Sequence, residues 1–113
     1  MRLLVAAIVT LALVVVSGCG GSNAPKVLNH TIVVSGAKPV GGVKSLRVKQ
    51  GGIVRLTVKS DTADEIHLHG YDIHKNVTKG GSVVFDFVAK DAGKFDIELE
   101  ARKQQLAALL VEP

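Results

Sequence analysis

The chain has 113 residues, with 14 Lys+Arg, 10 Asp+Glu, four histidines, one cysteine and no tryptophan. That length allows one compact domain with a modest core and excludes two. The net charge of +4 is carried by scattered basic residues with few aromatics among them, and no nucleic-acid motif accompanies them, so nucleic acid is not an expected partner.

In chain order, Met1-Arg2 and the largely apolar run from Leu3 to Val16 read as the basic start and apolar core of a secretory signal. The run is too short for a comfortable membrane span. Next comes Val16-Ser17-Gly18-Cys19, which resembles the bacterial lipobox, although valine is less usual than leucine at its first position. The resemblance implies that Cys19 is lipidated (the palmitate-type modification) and becomes the first residue of the mature chain. The membrane would then be a partner, and the protein a lipid-anchored one on the periplasmic or cell-surface side of the cell membrane. The expected organisation is a signal peptide at 1–18, a lipidated cysteine and flexible Gly/Ser/Asn/Pro tether at 19–26, and a folded domain at 27–113. Losing Arg2 with the signal leaves 13 Lys+Arg against 10 Asp+Glu, a net +3. Lipidation would use the only cysteine sulfur, excluding both an intrachain disulfide and a thiolate metal ligand.

From His30 onward, short β-rich segments recur between glycine-marked turns: HTIVVSG, KSLRVKQGG, IVRLTVKSD, EIHLHG, SVVFDFVAKDAG and KFDIELEA. Val54, Leu56 and Val58 alternate with Arg55, Thr57 and Lys59, and Phe95, Ile97 and Leu99 with Asp96, Glu98 and Glu100, as half-buried strands do. Gly41-Gly42, Gly51-Gly52 and Gly80-Gly81 supply the tight connections. The expected fold class is all-β, a Greek-key β-sandwich. Near the end, Ala101 to Leu110 are nearly all good helix formers, which allows a helical turn or two before a closing strand around Leu109 to Val111 and leaves Lys103 to Ala107 open.

The chemistry concentrates in EIHLHGYDIH, Glu65 to His74. On an extended strand His67 and His69 share one face and Ile66 and Leu68 the other, with the two imidazoles rooted about 6–7 Å apart. One ion could join them. Glu65, Asp72, His74 and the acidic face Glu98 and Glu100 are candidate further ligands, and imidazole with carboxylate suits Cu(II) or Zn(II). His74 lies beyond the Gly70 to Asp72 turn, where alternation no longer fixes its direction. His30 stands alone near the tether. Tyr71 reads as a corner tyrosine that hydrogen-bonds the backbone, and Asp61, Asp64 and Asp72 as strand terminators. The alternative is that His67 and His69 are solvated or hydrogen-bonded strand residues. No nucleophile-elbow or triad context surrounds the serines and threonines, so the protein is not expected to be an enzyme.

Together these landmarks resemble the cupredoxin-like domains of bacterial exported proteins, the kind also found in periplasmic iron-uptake proteins and in small lipoproteins. The matching stretches are GGIVRLTVKSDTADEIHLHGYDI, GGSVVFDFVAKDAGKFDIELE and the terminal QLAALLVEP, over the last two thirds of the chain. The resemblance implies a cupredoxin-like sandwich with His67 where a blue-copper protein has its first histidine. Where that pattern brings cysteine, histidine and methionine, this chain reads ELEARKQQLAALLV, and its one methionine is Met1. A type 1 copper site is therefore not expected. The expected function is metal binding, copper first and zinc second, for sequestration, delivery or sensing rather than electron transfer. The alternative is a metal-free interaction module of an envelope complex with a protein partner. A monomer is expected.

Overall fold

Alternating apolar and polar residues build two sheets whose apolar sides face each other. The computed structural model describes residues 26–113; the signal segment, Cys19 and all of the tether before Lys26 lie outside them. The described residues form nine strands and no helix: β1 (Val27–Ser35), β2 (Lys38–Pro39), β3 (Lys44–Lys49), β4 (Ile53–Ser60), β5 (Asp64–Leu68), β6 (Ile73–Val77), β7 (Gly81–Val88), β8 (Gly93–Leu99) and β9 (Gln104–Glu112). One sheet has the order β2-β1-β4-β7 and the other β3-β9-β8-β5-β6. This is the expected all-β sandwich. Its sheets are mixed, because β1 pairs with β4 and β3 with β9 in parallel while the remaining pairs are antiparallel.

The core lies between the sheets. Val54, Leu56, Val58 and Phe85 enter it from the first, and Ile66, Leu68, Leu99 and Leu109 from the second, all nearly inaccessible to solvent. Burying each such side chain stabilises the fold by about 1.5–3 kcal/mol. The alternation read from β4 and β8 is the alternation observed.

Two segments go beyond the expectation, one left open in the sequence and one absent from it. The 101–110 region contains no helix: a turn over 100–103 leads directly into β9, which begins at Gln104. β9 lies between β3 and β8, and pairing on both edges outweighs the weak helix preference of Ala, Leu and Gln. Its register slips between Ile97 and Glu98, so that Leu106 has no residue opposite it and is buried as the extra residue of a bulge. The second difference is β6. Ile73 to Val77 form a strand that the sequence reading did not include, paired along the whole of β5.

Candidate functional site

The site is built on three adjacent strands. β5 pairs with β8 on one side and β6 on the other, with His67 opposite Glu98 and opposite His74. Backbone bonds carry the β5–β8 pairing one residue further each way, from Glu100 N–H to the Glu65 carbonyl (2.8 Å) and from His69 N–H to the Asp96 carbonyl (2.9 Å). Ile66 and Leu68 are fully buried, so the intervening His67 and His69 must project outward.

The hairpin turn brings His74 back. Gly70 takes a positive φ of 82° and Asp72 one of 53°, the left-handed conformation that glycine adopts freely and aspartate tolerates. A side chain on Gly70 would run into the ring of Phe95. Tyr71, the next residue, donates its hydroxyl hydrogen to the Asp91 carbonyl (2.9 Å) and accepts from Asp91 N–H (3.1 Å). Its ring packs against Phe87 and Phe95, with centroids 5.1 and 4.8 Å away. The tyrosine thus ties the β5–β6 turn to the β7–β8 connection, the backbone role read for it in the sequence.

Three imidazoles meet as a result. The His67 ring lies 4.0 Å from that of His69 and is stacked on that of His74, with centroids 3.9 Å apart and planes 16° apart. Carboxylates surround them. His67 Nδ1 lies 3.0 Å from Glu100 Oε2, His69 Nε2 2.7 Å from Glu98 Oε1, His74 Nδ1 2.6 Å from Glu65 Oε1, and His74 Nε2 3.0 Å from Asp72 Oδ1. The His67 and His69 contacts are diagonal: His67 stands opposite Glu98 and reaches Glu100, and His69 stands beside Asp96 and reaches Glu98. His67 is the centre of the group, its side chain only 15 % exposed.

Ligand atoms of His67, His69, Glu98 and Glu100 lie within 4.8 Å of one another, as do those of His67, Asp72 and His74. Either set could hold a divalent ion. The donors fit Cu(II) or Zn(II), which accept imidazole nitrogen and carboxylate oxygen, and do not fit the soft sulfur preference of Cu(I). Electrostatics favours charge exchange here: the Asp72 carboxylate, with that of Glu65, raises the pKa of His74 above its ordinary value, and the His67 imidazole lowers that of Glu100.

Glu65, His67, His69, Asp72 and His74, all candidates from the sequence, are brought together. Glu98 and Glu100 join them directly, and their alternation on β8 was the signal for their outward direction. What alternation could not supply was the register that sets β8 beside β5. His30 lies on β1 opposite Leu56, in the other sheet. Asp61 and Asp64 serve turns: Asp61 accepts from Gly36 N–H, while Asp64 accepts from Ala101 N–H and pairs with Arg102 at 2.8 Å. The histidines stand on an open sheet face. A depression lined by Val33, Ser60, Asp61 and Ser82 belongs to the other sheet and contains none of them.

No protein-family model and no curated protein matches the chain. Solved structures do. A copper-binding protein determined in its apo form aligns with 79 % of this chain and 91 % of its own at 18 % identity and a TM-score of 0.60. The metal-binding domain of the Cu(I)-exporting P-type ATPase CopA of Streptococcus pneumoniae, determined with Cu(I), aligns with 81 % and 92 % at 13 % identity and 0.63. A point mutant of amicyanin, determined with Cu(I), aligns with 74 % and 82 % at 15 % identity and 0.51. These neighbours are cupredoxin-like copper-binding domains, and the fold of this chain is a cupredoxin-like β-sandwich.

Proposed function

We propose that this protein is a lipid-anchored, extracytoplasmic metal-binding domain that holds a divalent ion, copper(II) before zinc(II), on the outer face of its five-stranded sheet. The observation that carries the reading is the convergence of His67, His69, Glu98 and Glu100 ligand atoms within 4.8 Å. His67 and His69 are the core ligands, and the two glutamates supply negative charge. Sequestration, delivery or sensing suits an open face better than catalysis does, since a reaction centre gains most from excluding water. Electron transfer of the blue-copper kind has no support, because neither cysteine nor methionine occurs between residues 20 and 113. Anchoring rests on the lipobox-like Val16 to Cys19, as does the placement on the outer side of a bacterial membrane.

Titration of Cu(II) and Zn(II) into the wild type, His67→Ala and His69→Ala tests the site. Either substitution should weaken binding, by about 10–100-fold or more, and binding should weaken as the pH falls because protons compete for the same nitrogen lone pairs. The Cu(II) form should absorb only weakly in the visible, there being no thiolate for intense charge transfer. Equal affinity in both variants removes this site. Cys19→Ala should release the chain from membranes or block its processing.

A second reading has its own observation: each imidazole is already hydrogen-bonded to a carboxylate. On that reading the face is a self-contained polar network, and the domain is a metal-free interaction module for an envelope protein partner. Absence of metal binding by the wild type would favour it.

A further inference from the structure

We infer that the imidazole face holds two divalent ions at once, with His67 common to both positions; the inference rests on the metal-binding reading above. Two groups of ligand atoms are present, and they differ in every member but one. The first is His67, His69, Glu98 and Glu100, and the second His67, Asp72 and His74. Glu65 stands outside the second group, its carboxylate 2.6 Å from His74 Nδ1 while Asp72 meets Nε2 on the other edge of the ring, and adds negative charge beside it. An imidazole ring has two nitrogens on different edges, so the His67 ring can serve both positions once the second ion displaces its remaining N–H proton to solvent and leaves an imidazolate.

Charge gives an independent reason. Elsewhere among the described residues, the ion-paired carboxylates are answered by permanent cations: Asp64 by Arg102, Asp86 by Arg55, and Glu112 by Arg47 and Lys49. Glu65, Asp72, Glu98 and Glu100 have ion-pair contacts with histidines alone. With His69 and His74 neutral, as metal coordination requires, four carboxylates stand on one face without a lysine or arginine partner. One divalent ion balances half of the carboxylate charge, and two bring four positive charges against the carboxylates and the His67 imidazolate together. The first group offers four donors, enough for a closed site, and the second three, which leaves a position for water.

The positions also differ in what supports them. The first joins β5 to β8 inside the sheet. The second lies across the β5–β6 hairpin at the sheet's edge, where Asp72 belongs to the turn itself. The inner position should therefore fill first and the hairpin position second.

The test is Cu(II) titration of the full chain in detergent micelles, with stoichiometry from calorimetry and electron paramagnetic resonance spectra at one and two equivalents. Two ions per chain are expected, and the second should broaden the spectrum of the first through magnetic coupling. His74→Ala should weaken the second ion by at least about tenfold and leave one uncoupled ion. The milder pair Asp72→Asn with Glu65→Gln should do the same without removing a ring from the stack, and circular dichroism checks that each variant is folded. His69→Ala with Glu98→Gln should remove the inner ion and spare the outer. One ion per wild-type chain overturns this inference and leaves the single site standing, whereas none overturns both. A second ion that survives His74→Ala and the carboxylate pair lies elsewhere, which also overturns it.

Discussion

The two outer faces of the sandwich answer their charges in opposite ways. On the β1-β4-β7 face, Arg55 and Asp86 sit opposite each other and pair at 3.2 Å, both more than half exposed. On the β8-β5-β6 face, the carboxylates meet imidazoles, and no lysine or arginine contacts Glu65, Glu98 or Glu100 as an ion pair. The first arrangement is settled at any physiological pH. The second changes with proton concentration and, on the proposed function, with metal concentration, because imidazole can exchange one for the other. Nothing in the core beneath distinguishes the faces, so the difference lies in which residue types alternate outward.

That claim can be broken most directly in the core. Leu56 and Leu68 are buried to within 1 % beneath the two faces, and truncating either to alanine should cost about 2–5 kcal/mol, measured by denaturant unfolding. Similar losses support equivalent foundations. A Leu68→Ala loss far smaller than that of Leu56→Ala would mean that β5 and β6 are loosely held, and the histidine geometry with them.

Gly70→Ala comes next. The left-handed backbone and the Phe95 ring leave no room for a methyl group, so a loss of about 1–3 kcal/mol is expected. Because the hairpin sets His74 over His67, this variant should also lose the stacked arrangement, visible as changed histidine resonances. Unchanged resonances would show that the turn does not position the site.

The response to pH should separate the faces without a large energy. The Asp72 and Glu65 carboxylates raise the pKa of His74. Its stabilising contribution is thus fully present below the ordinary imidazole value and is lost as pH rises through the raised one. Glu100, lowered by His67, behaves oppositely: its contribution is present above the ordinary glutamate value and is lost as pH falls through the lowered one. Histidine titration by nuclear magnetic resonance should place the His74 midpoint above 6.5 in the metal-free protein, and Asp72→Asn should bring it down. A midpoint unmoved by Asp72→Asn would remove that contact. The smallest effect belongs to the other face: Arg55→Ala should change stability by no more than about 1 kcal/mol, the range for exposed pairs. A larger loss would mean that the pair does more than solvate its strand.

Much of this was legible in the sequence where local rules decide. Alternation alone gave the directions of His67, His69, Glu98 and Glu100, and the length and turn glycines gave a sandwich. Ile73 to Val77 escaped because His74, Lys75 and Asn76 are three polar residues in a row, which hides a strand whose support comes from its neighbour β5. β9 was ambiguous because its residues favour helix locally, while its conformation is set by partners on both edges. Glu98 could be seen to point outward but not toward His69, since register between distant strands is written in no single segment. The site therefore read as a pair of histidines with five candidate further ligands, and the fold brings all of them together as three histidines among four carboxylates.

The parallel pairing of β3 with β9 has a consequence for the time course of folding. The paired residues of the two strands stand more than half the chain apart in sequence, yet among the described residues β9 alone pairs with β3, and it also pairs with β8. Until β9 has arrived, Leu46, Val48 and Leu99 lack their neighbours on that strand, and the loop to be closed is long. Such non-local pairings slow the search for the native state. A partially made chain is thus kept open by its own topology, and commitment to the folded form is deferred to the moment β9 is delivered.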